Sequence, residues 1–182
     1  MAEFIAMPIG LIIIFGMAVF FIFMAWPLVF PGAPFLPSYR KSNQTARAHL
    51  KNIIDFAKIS FPNGRFIDLG SGDGRVVIEF ARHGFESWGV EFNPFLVLWS
   101  RIKIKNSKLK SQKAKVVRAN FWNFNLSGFD IVYIFQLTSV NALLADKFKK
   151  ELKPGAIIIS AGFFLPNLEL IKKEGIFGVY RN

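Results

Sequence analysis

A short run with three glycines, at residues 66–75, holds the residue types best suited to bind a small molecule. It reads Phe-Ile-Asp-Leu-Gly-Ser-Gly-Asp-Gly-Arg, with glycines at Gly70, Gly72 and Gly74. Glycines at this spacing let the backbone turn sharply and let a ligand approach without a Cβ in the way. The glycines of this run come between a short apolar strand and a helix, where open α/β sheets bind nucleotide-like ligands. A plain tight turn is the alternative, but it would need only one glycine.

Two acids frame this loop and indicate the charge of its ligand. Asp68 and Asp73 would both repel a pyrophosphate. The third glycine falls earlier than in the dinucleotide fingerprint, and the Gly-Lys-Ser/Thr of a P-loop is absent. S-adenosylmethionine carries a sulfonium and an ammonium and no phosphate, so it is the predicted cofactor. The loop residues expected to bind it are Asp68, Gly70, Ser71, Gly72, Asp73 and Gly74.

Further polar side chains follow the next two predicted strands. Glu91 closes the second strand, where a carboxylate can accept hydrogen bonds from both ribose hydroxyls. Asn120 follows the third strand and is placed to read the adenine edge, with Phe121 or Trp122 packing on the ring. The alternatives are a surface acid at Glu91 and an ordinary turn residue at Asn120.

Alternating strands and helices must position these residues. Predicted strands cover residues 65–69, 87–91, 116–119, 130–135 and 156–161. Predicted helices cover residues 42–59 and 73–83, a segment that begins at Pro94, and residues 140–152. This alternation implies a parallel sheet with helices on both faces. The tail, at residues 175–180, is predicted to add one or two edge strands.

The composition excludes several classes of site. The chain has no cysteine, which excludes a disulfide framework, a thiolate zinc site, an iron–sulfur cluster and a cysteine nucleophile. His49 and His83 are its only histidines, so no metal site is predicted.

The first 39 residues differ sharply from the rest, because Glu3 is their only charged residue. Residues 4–30 are hydrophobic except for two prolines and two glycines. A bilayer span needs about 20 apolar residues, and the apolar core of a signal peptide has only about 7–15. The segment therefore predicts one N-terminal transmembrane helix, with a cleaved signal peptide or a buried core helix as the alternatives.

The charges that follow this segment predict its orientation. All 23 basic residues of the chain lie within residues 40–182. Because positive residues stay on the cytoplasmic side, a domain at residues 42–182 is expected in the cytoplasm, on the inner membrane of a bacterium. Residues 31–41 form a proline-rich connector that is expected to hold this domain close to the bilayer.

The segment Arg101–Arg118 contains eight basic residues and no acid. A solvated helix face, an anionic lipid surface and nucleic acid are the three interpretations. A tethered domain favours lipid, because juxtamembrane basic residues contribute about 1 kcal/mol each near such a surface. Nucleic acid is disfavoured, since no recognised reading module accompanies the charge.

Three motifs together resemble class I S-adenosylmethionine-dependent methyltransferases. They are Asp-Leu-Gly-Ser-Gly-Asp-Gly-Arg at 68–75, Gly-Val-Glu-Phe-Asn-Pro at 89–94 and Leu-Lys-Pro-Gly at 152–155. The chain is most similar to membrane-anchored protein lysine methyltransferases of the ATP synthase c-subunit and adenine nucleotide translocase type. Those enzymes share a single N-terminal span and a Pro-Phe-x-Pro segment, and the likeness covers nearly the whole chain. It implies a Rossmann-like sheet and adds Asn93 to the cofactor site.

The resemblance also implies the reaction, which is methyl transfer to a lysine ε-amine on a membrane protein. Candidates for the acceptor site are Phe135 and Gln136, and candidates for substrate contacts in the connector are Pro34, Phe35, Pro37 and Ser38. The connector residues could equally form a passive linker. Two other functions stay open: methylation of a lipid or small lipophilic amine, and non-catalytic binding of S-adenosylmethionine by a membrane-tethered protein.

The chain departs from related patterns at two places. Relatives often have Asp where this chain has Asn120. After the fourth strand, Ile-Phe-Gln-Leu-Thr at 134–138 replaces the Asn/Asp-Pro-Pro-Tyr motif of enzymes that methylate planar base or amide nitrogens. This second departure disfavours a nucleobase or a glutamine as the methyl acceptor.

Overall fold

The computed structural model describes residues 10, 14–18, 44–107, 109, 113–136 and 138–182. The chain divides into two compact units, Met1–Pro34 and Phe35–Asn182. In the first unit, residue 10 and residues 14–18 are helical, and the rest of the predicted span lies outside the described residues. None of the helices formed by the described residues combines the length and the hydropathy of a membrane span.

The connector at residues 31–41 also lies outside the described residues. The four substrate contacts expected there, at Pro34, Phe35, Pro37 and Ser38, therefore remain predictions.

The described part of the second unit alternates helices and strands. Its α-helices are α1 (Gln44–Ser60), α2 (Arg75–Arg82), α3 (Pro94–Asn106) and α4 (Thr138–Glu151). Its strands are β1 (Arg65–Leu69), β2 (Glu86–Glu91), β3 (Ala114–Arg118), β4 (Ile131–Ile134), β5 (Ile157–Ala161), β6 (Glu169–Glu174) and β7 (Phe177–Arg181). A short 3₁₀ turn covers Phe121–Asn123. The predicted helices and the first five predicted strands are confirmed, with bounds that differ by at most two residues.

The seven strands form one sheet in the order β3-β2-β1-β4-β5-β7-β6. Strands β1 to β5 are parallel, whereas β7 runs antiparallel to both β5 and β6. The sheet is therefore mixed, and the predicted parallel arrangement holds for the first five strands only. Strands β6 and β7 pair antiparallel because the tight turn between them reverses the chain. Of the two tail strands, only β6 lies at the edge. Strand β7 is inserted beside β5, which suits its buried residues Phe177, Val179 and Tyr180.

Helices cover both faces of the sheet, as predicted. On one face, α1 and α2 pack over β1, β4, β5 and β7, and the rings of Phe66 and Phe80 stack with centroids 3.7 Å apart. Helix α3 lies on this same face, where Val97 packs with Ala114 and Val116 of β3. On the opposite face, α4 covers the sheet through buried side chains such as Leu144 and Phe148.

The carboxyl ends of the five parallel strands lie at one edge of the sheet. The chain order reverses between β1 and β4, which are neighbours although β2 and β3 intervene in the sequence. Open α/β sheets bind ligands at such a switch point. The glycine loop follows β1, and Phe135 and Gln136 follow β4, so the fold brings these two segments together.

The stack of Phe66 on Phe80 should dominate the stability of the α2 side of the sheet. Phe80→Ala is expected to lower the free energy of unfolding by about 3–5 kcal/mol, because it leaves a cavity in a fully buried cluster. Urea denaturation of the full chain measures this difference. The control is Phe164→Ala, whose ring is 60% exposed and should cost under about 1 kcal/mol. Equal losses in the two variants would contradict this account of the core.

Candidate functional site

The glycine loop is held by the backbone of β2 and by helix α3. The amides of Gly70 and Ser71 both donate to the carbonyl oxygen of Val90, at 2.8 and 3.0 Å. Gly74 has φ of 73°, and a Cβ built on it would lie 2.9 Å from the Cβ of Ser100. Only glycine therefore allows the loop to enter α2 while it packs against α3.

Glu91 joins the loop to the start of α3. Its Oε2 accepts a hydrogen bond from the amide of Gly72, and its Oε1 accepts one from the amide of Asn93, both at 2.8 Å. Asn93 caps α3, because its Oδ1 accepts from the amides of Phe95 and Leu96. The Glu91 carboxylate is buried, and each oxygen keeps a second lone pair for another donor.

Asp68 is a buried carboxyl with no compensating partner in the part of the chain that the structure describes. It is 3% exposed, and no described residue donates a hydrogen bond to its carboxylate. Burial, followed by the negative charges of Glu91 and Asp73, raises the pKa of Asp68 well above its usual value. A cationic group bound beside Asp68 would relieve this cost, so the site fits a positively charged ligand.

Asp73, by contrast, is already neutralised within the protein. Its carboxylate accepts two hydrogen bonds from Arg75, at 2.7 and 2.8 Å, and pairs with Lys103 of α3 at 2.5 Å. Burial acts to raise the pKa of Asp73, but these two cations outweigh it and lower that pKa to about 2. Among the described residues, Asp68 is therefore the acid of the loop that no cation or donor compensates, whereas Asp73 ties the loop to α3.

Two other predicted site residues have side chains in the protein interior. The Ser71 hydroxyl lies against β2, where a Cβ on Gly89 would be 2.5 Å from its oxygen. The Nδ2 of Asn93 is buried and finds no hydrogen-bond partner among the described residues. Ser71 therefore packs the loop onto β2, while the Asn93 amide keeps a donor available.

The segment after β3 is more open. Asn120 is exposed, and its Oδ1 accepts a hydrogen bond from the amide of Trp122 at 3.0 Å. The rings of Phe121 and Trp122 lie 5.0 Å apart between centroids. Asn120 thus caps the 3₁₀ turn that carries both rings, and its contact with adenine remains a prediction.

Gln136 reaches the glycine loop from the end of β4. Its Nε2 donates to the carbonyl oxygen of Leu69 at 3.4 Å, and a Cβ on Gly70 would lie 2.7 Å from that nitrogen. The half-buried ring of Phe135 lies 6.1 Å from the ring of Phe163, between centroids. The structure therefore brings Gln136 beside the loop and Phe135 beside Phe163.

A partly open pocket of about 180 Å³, with Lys173 at one side and mostly apolar residues elsewhere, is lined in part by Phe163. Its wall includes Phe163, Phe164, Ile176, Phe177 and Tyr180. Because Phe163 also contacts Phe135, this cavity adjoins the residues that follow β4.

Sequence reasoning missed Lys103, Gly89 and Phe163 as individual contributors. Lys103 was visible only as one member of a basic run, and nothing in the sequence pairs it with Asp73. Gly89 begins the motif at residues 89–94, but the sequence does not show that Ser71 packs against it and leaves no room for a Cβ. Phe163 follows β5, a strand end from which no site residue was predicted.

Parts of the basic segment Arg101–Arg118 are engaged within the protein. The Nε of Arg101 donates to the carbonyl oxygen of Val116 at 3.0 Å. The Nζ of Lys115 lies 3.1 Å from the centroid of a Trp88 ring. This segment therefore contributes to packing as well as to surface charge.

Gly72 allows a test of whether the loop binds ligand, because its backbone has φ of 54° and a Cβ would meet no atom within 4 Å. Gly72→Ala is expected to cost about 1–2 kcal/mol of stability and to weaken S-adenosylmethionine binding by roughly tenfold or more, since its Cβ would face the ligand. Gly155→Ala is the matched control, with φ of 84° and the same open space, far from the loop in sequence. Calorimetric titration should show normal binding in the control. Equal weakening in both variants would contradict the assignment of the loop.

Comparison with known proteins gives concordant matches. A family model described as the ANTKMT methyltransferase domain matches residues 68–172, more than half of the chain. The human lysine N-methyltransferase of the ATP synthase c-subunit is 30% identical over 86% of this chain and 66% of its own length. A protein-lysine N-methyltransferase from Saccharolobus islandicus is 31% identical over 73% of this chain and 78% of its own length.

A solved structure of similar fold carries a bound ligand. It is an RNA methyltransferase from Salinibacter ruber in complex with S-adenosyl-L-homocysteine, with a TM-score of 0.63 and 28% identity. The match covers 72% of this chain and 89% of that protein. The chain spans about half to two thirds of the length of the human relative and its mouse counterpart. By its family-model match and its relatives, the chain belongs to the family of the ANTKMT methyltransferase domain, within the S-adenosylmethionine-dependent methyltransferases.

Proposed function

We propose that this chain is a protein-lysine N-methyltransferase that acts on a membrane-associated protein. The observation that carries the proposal is the identity of about 30% with two relatives that are both named as lysine N-methyltransferases. The alignment with the human relative covers 86% of this chain. The glycine loop from Asp68 onward and both acceptor residues lie within the part that the family model matches.

The buried acids suggest a position for the cofactor. Asp68 would face the cationic part of S-adenosylmethionine, since it is a buried acid of the loop that has no partner among the described residues. Glu91 would accept the ribose hydroxyls on its remaining lone pairs while it holds the loop amide of Gly72. Asn120 and Phe121 would border the adenine, and Asn93 would offer its Nδ2 donor.

The acceptor residues supply positioning rather than acid–base chemistry. When bound, the cofactor supplies an electrophilic methyl group on a sulfonium. The lysine amine that accepts this methyl group would have to be neutral, so that its lone pair is free, and the proton released afterwards would pass to solvent water. The apolar rings of Phe135 and Phe163 would favour the neutral amine by excluding water, and Gln136 would orient it through its amide.

The domain would lie at a membrane under this proposal. The apolar segment of residues 4–30 would anchor it as a single-pass protein with the domain in the cytoplasm. The connector residues Pro34, Phe35, Pro37 and Ser38, which follow the apolar segment in the sequence, would contact the substrate. The human relative, which is named for the ATP synthase c-subunit, supports a protein substrate of this kind.

RNA is a weaker candidate substrate, although the Salinibacter ruber structure is named as an RNA methyltransferase. The segment Phe135-Gln136 that follows β4 lacks the Pro-Pro-Tyr signature of enzymes that methylate planar nitrogens. Lysine therefore remains the favoured acceptor.

Asp68→Asn should separate stability from binding. The pKa of Asp68 is raised in the folded state, so the protonated carboxyl is the form that burial tolerates. The fold is therefore most stable at low pH and loses stability as pH rises through that pKa. The neutral variant should therefore melt at a higher temperature than the wild type at neutral pH without cofactor. It should also bind S-adenosylmethionine about tenfold or more weakly, since a hydrogen bond to a charged group contributes about 1.5–3 kcal/mol.

The pH dependence of binding gives a second measurement on the same variant. Because the cationic ligand requires ionised Asp68, wild-type affinity should fall as pH is lowered through the raised pKa, with proton release on binding. Calorimetric titration in buffers of different ionisation enthalpy detects that release. Asp68→Asn should show no such slope. An unchanged slope in the variant would assign the proton to another group.

Labelled membranes should identify the methyl acceptor. Membranes from cells that express the chain, incubated with methyl-labelled S-adenosylmethionine, are expected to carry label on lysine in the protein fraction, as seen by peptide mass spectrometry. The Gly72→Ala variant should give little label, and Gly155→Ala should match the wild type. Label confined to lipid or to RNA would overturn the lysine assignment.

A further inference from the structure

Helix α3 carries an apolar stripe on its outward face. Phe95, Leu98, Trp99 and Ile102 are 64%, 60%, 53% and 43% exposed, respectively. They occur at spacing i, i+3, i+4 and i+7, which places them on one side of the helix. Phe92, 43% exposed, lies just before the helix. The surfaces of soluble proteins rarely expose so many large apolar side chains together, so this stripe indicates a contact surface.

The exposure of the stripe follows from how α3 is fixed. The opposite side of the helix is committed to the core, with Val97 buried beside Ala114 of β3 and Ser100 fully buried. Asn93 caps the first turn, and Lys103 pairs with Asp73 of the glycine loop. Rotating α3 to bury the stripe would break all of these contacts.

The charged residues around the stripe indicate what kind of surface would bind to it. Arg101 and Lys105 are exposed on the same helix, and Lys105 lies one turn beyond Ile102. They belong to the segment Arg101–Arg118, which has no acid. An apolar stripe with basic residues beside it is typical of helices that lie in the interface of an anionic membrane. A second copy of this chain would bring two such basic segments together, in a protein of net charge +11.

We propose that the outward face of α3, centred on Leu98, Trp99 and Ile102, inserts into the interfacial region of an anionic bilayer. The inference rests on the membrane association proposed above and adds a second contact to it. Because α3 begins beside Glu91, this contact would hold the cofactor end of the sheet at the lipid surface. A lysine of a membrane protein would then need to travel only a short distance to the site.

The absence of cysteine from the chain makes a direct test possible. Leu98→Cys and Leu143→Cys each introduce one thiol for an environment-sensitive nitrobenzoxadiazole label. The two leucines are 60% and 62% exposed, on helices that cover opposite faces of the sheet. The full chain is reconstituted into vesicles of phosphatidylcholine and phosphatidylglycerol, so its N-terminal attachment is the same in both variants.

The label at position 98 should shift to the blue and be quenched severalfold more strongly by acyl-brominated lipid than the label at position 143. The difference should shrink in vesicles of phosphatidylcholine alone. Equal, water-like emission at both positions would overturn the proposal. A label at position 98 that is shielded from aqueous iodide, yet not quenched by brominated lipid, would assign the stripe to a protein segment instead.

Cofactor binding, measured on the same vesicles, keeps this test separate from the proposed activity. Normal S-adenosylmethionine binding without lipid quenching at position 98 would reject only the α3 contact. Lipid quenching without cofactor binding would reject the proposed enzyme and leave the membrane contact in place.

Discussion

Two buried carboxyl groups at the carboxyl ends of β1 and β2 are the constraint around which the site is organised. Neither Asp68 nor Glu91 is more than 6% exposed, and carboxylates are costly to bury without partners. Glu91 is compensated by two backbone amides, which also fix the loop and the start of α3. Asp68 has no such compensation among the described residues. The domain thus keeps a local electrostatic cost where a cationic ligand would reduce it, as functional sites often do.

The rest of the domain holds these acids in place. Parallel pairing of β1 with β2 and β4 fixes the heights at which Asp68, Glu91 and Gln136 emerge from the sheet. Helices α1 and α2 seal one face of the sheet, and α4 seals the other. The Asp73 pairs with Arg75 and Lys103 then close the loop onto α3. Loop, sheet and α3 therefore form one rigid support rather than separate parts.

Local sequence patterns predicted most of the helices and strands. The features that could not be predicted depend on contacts between residues that are distant in the sequence. Strand and helix positions followed from apolar periodicity, and the glycine loop followed from residue types within ten positions. The place of β7 did not, because strand order depends on which strand edge is free when the tail folds back. The more distant partner of Asp73 could not be predicted either, since Lys103 is 30 residues away and is one of several lysines in the same basic segment. Similarly, the apolar side chain of Leu98 suggests a core position in the sequence, and only the structure shows that it lies on the exposed face of α3.

The insertion of β7 between β5 and β6 has a consequence for synthesis of the chain. Every backbone pair between β5 and β7 joins residues 157–161 to residues 177–181. In a nascent chain that ends before residue 177, β5 is therefore an open, largely apolar sheet edge. Exposed edges of this kind pair readily with other strands. The domain thus passes through a stage of translation in which it is prone to aggregate, and this stage ends when β7 has been made and pairs with β5.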